Sequence, residues 1–309
     1  MSGNRTVAQH SGGRSVTAAP RAACVIGWPV EHSRSPLIHN YWLKRYGIGG
    51  EYRREAVRQE DFGAFVAGLA ARGYVGANVT VPHKEAALAL SQPDERARAV
   101  GAVNTLWLED AVLRSTNTDV EGFLDNLDAC APRWDRDATK ALILGAGGAT
   151  RAVIYGLLSR GVERIVVANR TASRADALRA SFGKRVQMAD WARLEAELAD
   201  SALLVNTTTL GMHGQPALAL DLAWLGGHAI VADIVYVPVV TPLLAVARSR
   251  GLVTADGLGM LLHQAVRGFA LWFGKTPEVT GELRALVEAD LAGSTRDSAT
   301  QSATNKINK

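Results

Sequence analysis

Residues 142–150 read LILGAGGAT, and how that stretch is read decides the fold. Three apolar residues run straight into Gly145, Gly147 and Gly148, with Ala146 and Ala149 as the small residues between and after them. The run from Ala149 to Leu158 then suits a helix. Strand, glycine turn and helix in that order place backbone N–H groups at a helix N-terminus, where a pyrophosphate can approach. The generic six-residue fingerprint wants Gly or Ala at position 150, and this chain has Thr150. A glycine turn without a ligand is therefore the competing reading.

The next strand, RIVVANR (164–170), ends about where an NAD enzyme carries the acid that binds its ribose. Here that position holds Asn169, followed by Arg170 and, one helical turn on, Arg174. A carboxylate would repel a 2′-phosphate, whereas guanidinium groups grip phosphate oxygens bidentately. NADP is expected rather than NAD.

Outward from this unit the pattern continues. A helix over 171–183, a short strand near RVQM (185–188), and apolar strands in ALLVNTT (202–208) and HAIVADIVY (228–236) extend the alternation. Near-continuous apolar strands alternating with helices predict a parallel sheet covered on both faces. Towards the N-terminus a second such layer is expected. AACVIGWPV (22–30) is a strand, and SPLIHNYWLKRYG (35–47) a helix with Ser35 as its N-cap and Pro36 at its first position. EYRREAV (51–57) and YVGANVTV (74–81) are strands with a helix over 61–73 between them. AVNTLWLED and AVLRSTNTD (102–119) form two strands joined at Glu109 and Asp110. Helices are expected at 120–130, 257–274 and 279–292, the C-terminal ones free to pack back on the first layer.

The chain has 309 residues, enough for two domains. Its hydrophobic fraction of 48% and charged fraction of 21% suit a globular protein, and its net charge of +4 is spread without a long basic block. That balance fits an anionic small ligand better than nucleic acid. Two cysteines, Cys24 and Cys130, lack the spacing and density of a disulfide framework and imply a reducing compartment. Residues 1–20 lack the apolar region of a secretory signal and are expected to be a disordered leader, with 293–309 a disordered tail. Asp233 and Pro238 break the longest apolar run, so no membrane span is expected and the protein is placed in the cytoplasm.

NVTVPHKE (78–85) is the other stretch with chemistry in it. A strand ends, Pro82 is expected to open a helix, and Lys84 falls in the first turn, where a helix disfavours a cation by a few tenths to about 1 kcal/mol. A position poor for stability is a candidate for proton transfer. No cluster of His, Cys or acidic residues has metal-ligand spacing.

With these pieces in place the chain resembles the shikimate dehydrogenase family from about residue 22 to about residue 290. The motifs are VIGWPVEHSRSPLIHN, NVTVPHKE, GAVNT, NTD, GAGGATRA, NRT, NTTTLGM, DIVYVPVVTPLL and DGLGMLLHQA, all in the family's order. The resemblance implies an α/β protein of two domains with a cleft between them: a substrate-binding domain (21–119 and 257–292) and a Rossmann-type NADP-binding domain (120–256). It implies NADP-dependent, reversible reduction of 3-dehydroshikimate to shikimate, a step towards aromatic amino acids, by a monomer or homodimer.

The resemblance also implies roles. Ser33 and Ser35 match serines that hold the substrate carboxylate, with Tyr236 nearby. Asn78, Thr80, Asn104 and Gln264 match further polar contacts. Gln264 lies off the apolar stripe of Leu261, Leu262, Ala265 and Phe269, on a face with Gly257 and Gly268, where small residues would leave room for a ligand. Lys84 and Asp119 match the catalytic pair, although Asp119 could simply cap the following helix. The cofactor set comprises Gly145, Ala146, Gly147, Gly148, Ala149, Asn169, Arg170, Thr171, Arg174, Thr207, Met212, Ile234 and Gly257.

Two other readings stay open. In a quinate/shikimate dehydrogenase, threonine tends to replace the second serine and an acid to follow the second strand of the cofactor domain; Ser35 and Asn169-Arg170 oppose both features. A non-catalytic metabolite sensor would be expected to lose Lys84 or Asp119, and both are present.

Overall fold

The computed structural model describes residues 21–307, with side chains through 294 apart from 172 and 175. The predicted leader lies outside the described residues. The first layer contains β1 (Arg21–Gly27), α1 (Ser35–Arg45), β2 (Gly50–Ala56), α2 (Phe62–Ala67), β3 (Tyr74–Val79), α3 (Lys84–Ala89), β4 (Gln92–Pro93), α4 (Glu95–Val100), β5 (Thr105–Glu109) and β6 (Val112–Thr116). After α5 (Asp119–Cys130) come β7 (Lys140–Leu144), α6 (Gly148–Ser159), β8 (Arg164–Ala168), α7 (Ala172–Phe182), β9 (Val186–Ala189), α8 (Leu194–Leu198), β10 (Leu203–Asn206), β11 (Ile230–Asp233), α9 (Pro242–Ser249) and β12 (Val253–Ala255). The long helices α10 (Gly257–Phe273) and α11 (Gly281–Ile307) close the chain.

The second sheet runs β12-β11-β10-β7-β8-β9 with every neighbouring pair parallel. The strand order reverses at β7, so the glycine turn leaves the sheet at the switch point where such folds bind dinucleotides. The first sheet runs β2-β1-β3-β5-β6-β4, parallel around β1 and antiparallel from β3 to β6.

Period-two side-chain alternation explains why these strands look uniformly apolar. In β7, Ala141 and Ile143 enter the core under α5 and α6, while Leu142 and Leu144 enter the core on the opposite face. In β1, Ala23 and Val25 pack under α1 and α10, while Ala22, Cys24 and Ile26 face α2. Both faces of both strands are buried, and no polar face is left to break the run.

Several boundaries differ from expectation. Ser35 is the first residue of α1 rather than its cap; Arg34 holds the cap position and makes no capping hydrogen bond through its side chain. Pro82 does not open α3, because the His83 N–H donates to the Thr80 carbonyl at 3.0 Å and closes a turn first. The helix begins at Lys84 with His83 as its N-cap. The helix expected over 61–73 stops at Ala67 and continues as turns. The polar segment expected as a tail from 293 is helical as far as Ile307, continuing the turn begun by Leu283, Val287 and Leu291 against the core of α1 and α10.

Candidate active site

A cleft of about 350 Å³ lies at the C-terminal ends of β1 and β3, walled by α5, α10 and the segment after β11. Its lining holds Ser33, Ser35, Asn78, Thr80, Lys84, Asn104, Asp119, Tyr236 and Gln264, together with Ile234 and Gly257 from the expected cofactor set. The remaining expected cofactor residues lie outside this lining, along the C-terminal edge of the second sheet.

Lys84 Nζ is 2.6 Å from Asp119 Oδ2, with the side chains 29% and 14% exposed. Asp119 is the first residue of α5 and Thr118 holds the cap position, so the carboxylate is not a cap. Its other oxygen accepts from Asn104 Nδ2 at 2.8 Å. The Asn104 Oδ1 in turn accepts the Thr118 N–H at 2.7 Å, which fixes the orientation of the amide. Asn104 therefore spends much of its hydrogen-bonding capacity on aiming the acid.

Asn78 is held as firmly. The Tyr52 hydroxyl donates to its Oδ1 at 2.6 Å, and its Nδ2 donates to the Asn104 carbonyl at 3.1 Å and to Thr105 Oγ1 at 3.2 Å. Burial pushes the Tyr52 phenol well above its ordinary pKa, so it stays protonated and remains the donor. Sequence reasoning passed over Tyr52. The available signal was an aromatic residue with a polar tip at an inward-facing position of the alternating strand EYRREAV.

The serine turn is braced by backbone contacts. Ser33 Oγ accepts the Ser35 N–H at 3.3 Å, and the Ser33 carbonyl accepts from Arg54 Nε at 3.1 Å and Nη2 at 2.7 Å. Across the cleft, burial pushes the Tyr236 phenol up, an effect that Arg34 partly offsets. Gln264 Nε2 donates to the Leu261 carbonyl at 3.0 Å, which leaves its Oε1 uncommitted at the wall. Of the small residues on its face, Gly257 lines the cleft and Gly268 does not. A Cβ on Gly257 would meet the Ile234 carbonyl oxygen at 2.3 Å, and one on Gly268 would meet the Trp272 ring at 2.8 Å. Packing closes both positions to a side chain.

At the second sheet, Gly145 has φ +105°, a conformation that strains any residue with a side chain. Thr150, the departure from the generic fingerprint, is fully buried. Its hydroxyl accepts the Gly147 N–H at 3.0 Å and lies 2.8 Å from Thr207 Oγ1, which donates to the Leu144 carbonyl at 2.7 Å. The threonine thus ties the glycine turn to the end of β10. Asn169 Nδ2 donates to the Thr171 carbonyl at 2.9 Å. Arg170 and Arg174 stand exposed at the exit of β8, with no carboxylate partner among the described residues. A tight glycine turn and two uncommitted guanidinium groups at a strand exit are a donor set that fits NADP. No group of three or more potential metal ligands occurs among the described residues. None of their helices is long and apolar enough to cross a membrane.

Comparison with known proteins agrees with this geometry. Residues 25–106 match the model of the shikimate dehydrogenase substrate-binding domain, residues 131–212 that of shikimate/quinate 5-dehydrogenase, and residues 257–286 that of the shikimate 5′-dehydrogenase C-terminal domain. The chain is 64% identical over 277 residues to shikimate dehydrogenase (NADP(+)) of Rhodopseudomonas palustris strain TIE-1, covering 90% of this chain and 99% of that protein. Among solved structures it is similar to quinate dehydrogenase from Corynebacterium glutamicum in complex with NAD (TM-score 0.81, 32% identity, 87% of this chain and 99% of that one). It is likewise similar to shikimate 5-dehydrogenase from Thermus thermophilus in complex with NADP(H) and shikimate (TM-score 0.76, 34% identity, 88% and 98%). Cleft, glycine turn, family models and a near-full-length relative all agree: the chain belongs to the shikimate dehydrogenase family.

Proposed function

We infer that this protein is an NADP-dependent oxidoreductase that interconverts 3-dehydroshikimate and shikimate, and that the cleft is where it does so. The observation that carries the reading is the Lys84–Asp119 pair, 2.6 Å apart in the wall of a cleft rich in neutral hydrogen-bonding groups. Ser33, Ser35 and Tyr236 hold the carboxylate; Asn78, Thr80, Asn104 and Gln264 face the ring hydroxyls. Lys84 delivers the proton to the carbonyl oxygen during reduction and takes it back in reverse. Asp119 orients the ammonium, and Asn104 orients Asp119. NADPH, when bound, supplies the hydride. The turn from Gly145 to Ala149 holds its pyrophosphate, Arg170 and Arg174 its 2′-phosphate with Asn169 and Thr171 beside them, and Thr207, Met212, Ile234 and Gly257 the nicotinamide side.

The two sheets support a substrate-binding unit (21–119 with 257–292) and a cofactor unit (120–256). The assembly is a monomer or a homodimer. The free thiols of Cys24 and Cys130 support placement in the cytoplasm.

Similarity to an NAD-bound quinate dehydrogenase favours a second reading, activity on quinate with NAD. Ser35 and the Asn169-Arg170 pair oppose it. The test is spectrophotometric: pure protein with NADP or NAD against shikimate and quinate. Turnover of shikimate with NADP is expected to dominate. Preference for quinate with NAD would overturn the reading in favour of the second, and absence of any turnover would point to a sensor.

A further inference from the structure

Apart from Arg34, the groups that face a ligand at the serine end of the cleft are neutral hydroxyls. Ser33, Ser35 and Tyr236 offer hydroxyls, and Lys84 and Asp119, which both line the cleft, pair with each other and cancel. A carboxylate drawn out of water among neutral donors needs a countercharge. Arg34 supplies one.

Arg34 sits between the two serines and lines the cleft, with its side chain only 11% exposed. Nη1 donates to the His32 carbonyl at 2.6 Å, and Nη2 donates to Ser294 Oγ at 2.6 Å. Nε lies 2.7 Å from Asp290 Oδ2 yet makes no aligned hydrogen bond. Of five guanidinium N–H groups, two are committed to aligned bonds and one to an ion contact. Asp290 is 44% exposed, so solvent screens it and it neutralises the guanidinium incompletely. The charge of Arg34 is felt at the Tyr236 hydroxyl on the opposite wall.

We propose that Arg34 is a specificity-determining residue, whose positive charge selects a carboxylate-bearing substrate at the serine end of the cleft while Asp290 of α11 holds the guanidinium in place. The proposal rests on the assignment of that end to the carboxylate. It gives the C-terminal helix a part in substrate recognition, because Asp290 and Ser294 of α11 hold Arg34, which lines the cleft.

The experiment measures KM and kcat for shikimate and for its uncharged methyl ester, with NADP in excess. The acid-to-ester ratio within each variant is independent of how much of that variant is folded. Arg34→Gln is expected to raise KM for the acid about tenfold or more, the value of one lost charge-assisted bond, while the ester is unaffected. Arg34→Lys should keep most of the discrimination. An equal rise for acid and ester in Arg34→Gln would make Arg34 a packing residue, and an unchanged KM for the acid would give it no role; either result overturns the proposal. The Ser33→Ala/Ser35→Ala double variant separates the two levels. If it raises KM while Arg34→Gln does not discriminate acid from ester, the assignment of the site stands and the proposal falls. If it changes KM for neither ligand, the assignment falls and takes the proposal with it.

Discussion

At Lys84 two requirements conflict. The first residue of a helix is a poor place for a cation, yet the proposed proton transfer needs an amine there, and the conflict is eased by the carboxylate 2.6 Å away. Lys84→Met keeps much of the side-chain shape and is expected to lower kcat by about 10²–10⁴-fold, the range of general acid–base catalysis, with a much smaller change in KM. Asp119→Asn should also lower kcat. Steady-state kinetics across pH checks both, and a Lys84→Met enzyme with near-normal kcat would take the proton away from Lys84. His39 makes a different point about single residues. It is fully buried, stacked on Tyr52 with ring centroids 4.1 Å apart, and neither ring nitrogen makes an aligned hydrogen bond among the described residues. Burial pushes its pKa down to about 3. The unfolded chain therefore takes up a proton near pH 6.5 that the folded chain refuses, and stability is complete above that pH and falls as pH drops from about 6.5 towards 3. One such group contributes a loss of about 2 kcal/mol between pH 7 and pH 5. Urea unfolding at the two pH values should show His39→Phe losing less stability than the parent; equal losses would mean that His39 is protonated in the fold.

Among the elements, the crossing of α5 and α10 bears most directly on the site, because one helix begins with Asp119 and the other carries Gln264. The two approach closely at Gly122, where a Cβ would lie 2.6 Å from Gln264 Cβ and 2.7 Å from the Met260 carbonyl oxygen. Gly122→Ala must push α10 outward, at a cost of about 1–3 kcal/mol, and should raise the substrate KM as Gln264 moves. Gly63→Ala in α2 is the control. Nothing lies within 4 Å of its Cβ, so it should stabilise by about 0.4–1 kcal/mol and leave KM alone. Denaturant unfolding of the pair is the measurement, and matching behaviour would show that the crossing is looser than its geometry. Some short elements escaped the sequence because they have too few residues for periodicity. The six-residue α4 is one, although Asp94, which accepts the Ala97 N–H at 2.8 Å, and the left-handed Gly101 are legible as its cap and its stop. The three-residue β12 is another, with too little length to alternate.

On the scale of the molecule, two sheets share one cleft and are joined by shared contacts. Val100 and Ala102 of the first layer lie in the same core as α5 and α6, and Arg151 of α6 hydrogen-bonds the Val100 carbonyl. A ligand bound at the second sheet therefore stabilises a continuous body. NADP at one hundred times its dissociation constant should add about 2.7 kcal/mol to stability, read as a rise in Tm. In Arg170→Asp, where a carboxylate would face the 2′-phosphate, most of that rise should vanish for NADP while the response to NAD survives. Equal weakening of both would show that the arginines do not read the phosphate.

The linear chain determined whatever depends on neighbours along it. Period-two burial on both faces made β1 and β7 continuous apolar runs, glycines marked the turn after β7, and the arginines at the exit of β8 are separated only by a helical turn. The cofactor class followed from those. Adjacency also placed Lys84 in a first helical turn, and the ordered motifs brought together in thought the nine residues that the cleft brings together in space. What only the tertiary structure decided lies between residues far apart in sequence. The aiming of Asp119 by Asn104, the locking of Asn78 by Tyr52, the tie between Thr150 and Thr207, and the hold of Asp290 on Arg34 each need two elements to meet at hydrogen-bonding or ion-pair distance. The same holds for the helix starts, which were set one or two residues away from expectation by backbone hydrogen bonds within the turns before them. Periodicity records which face of an element is buried; it carries no record of what that face is buried against.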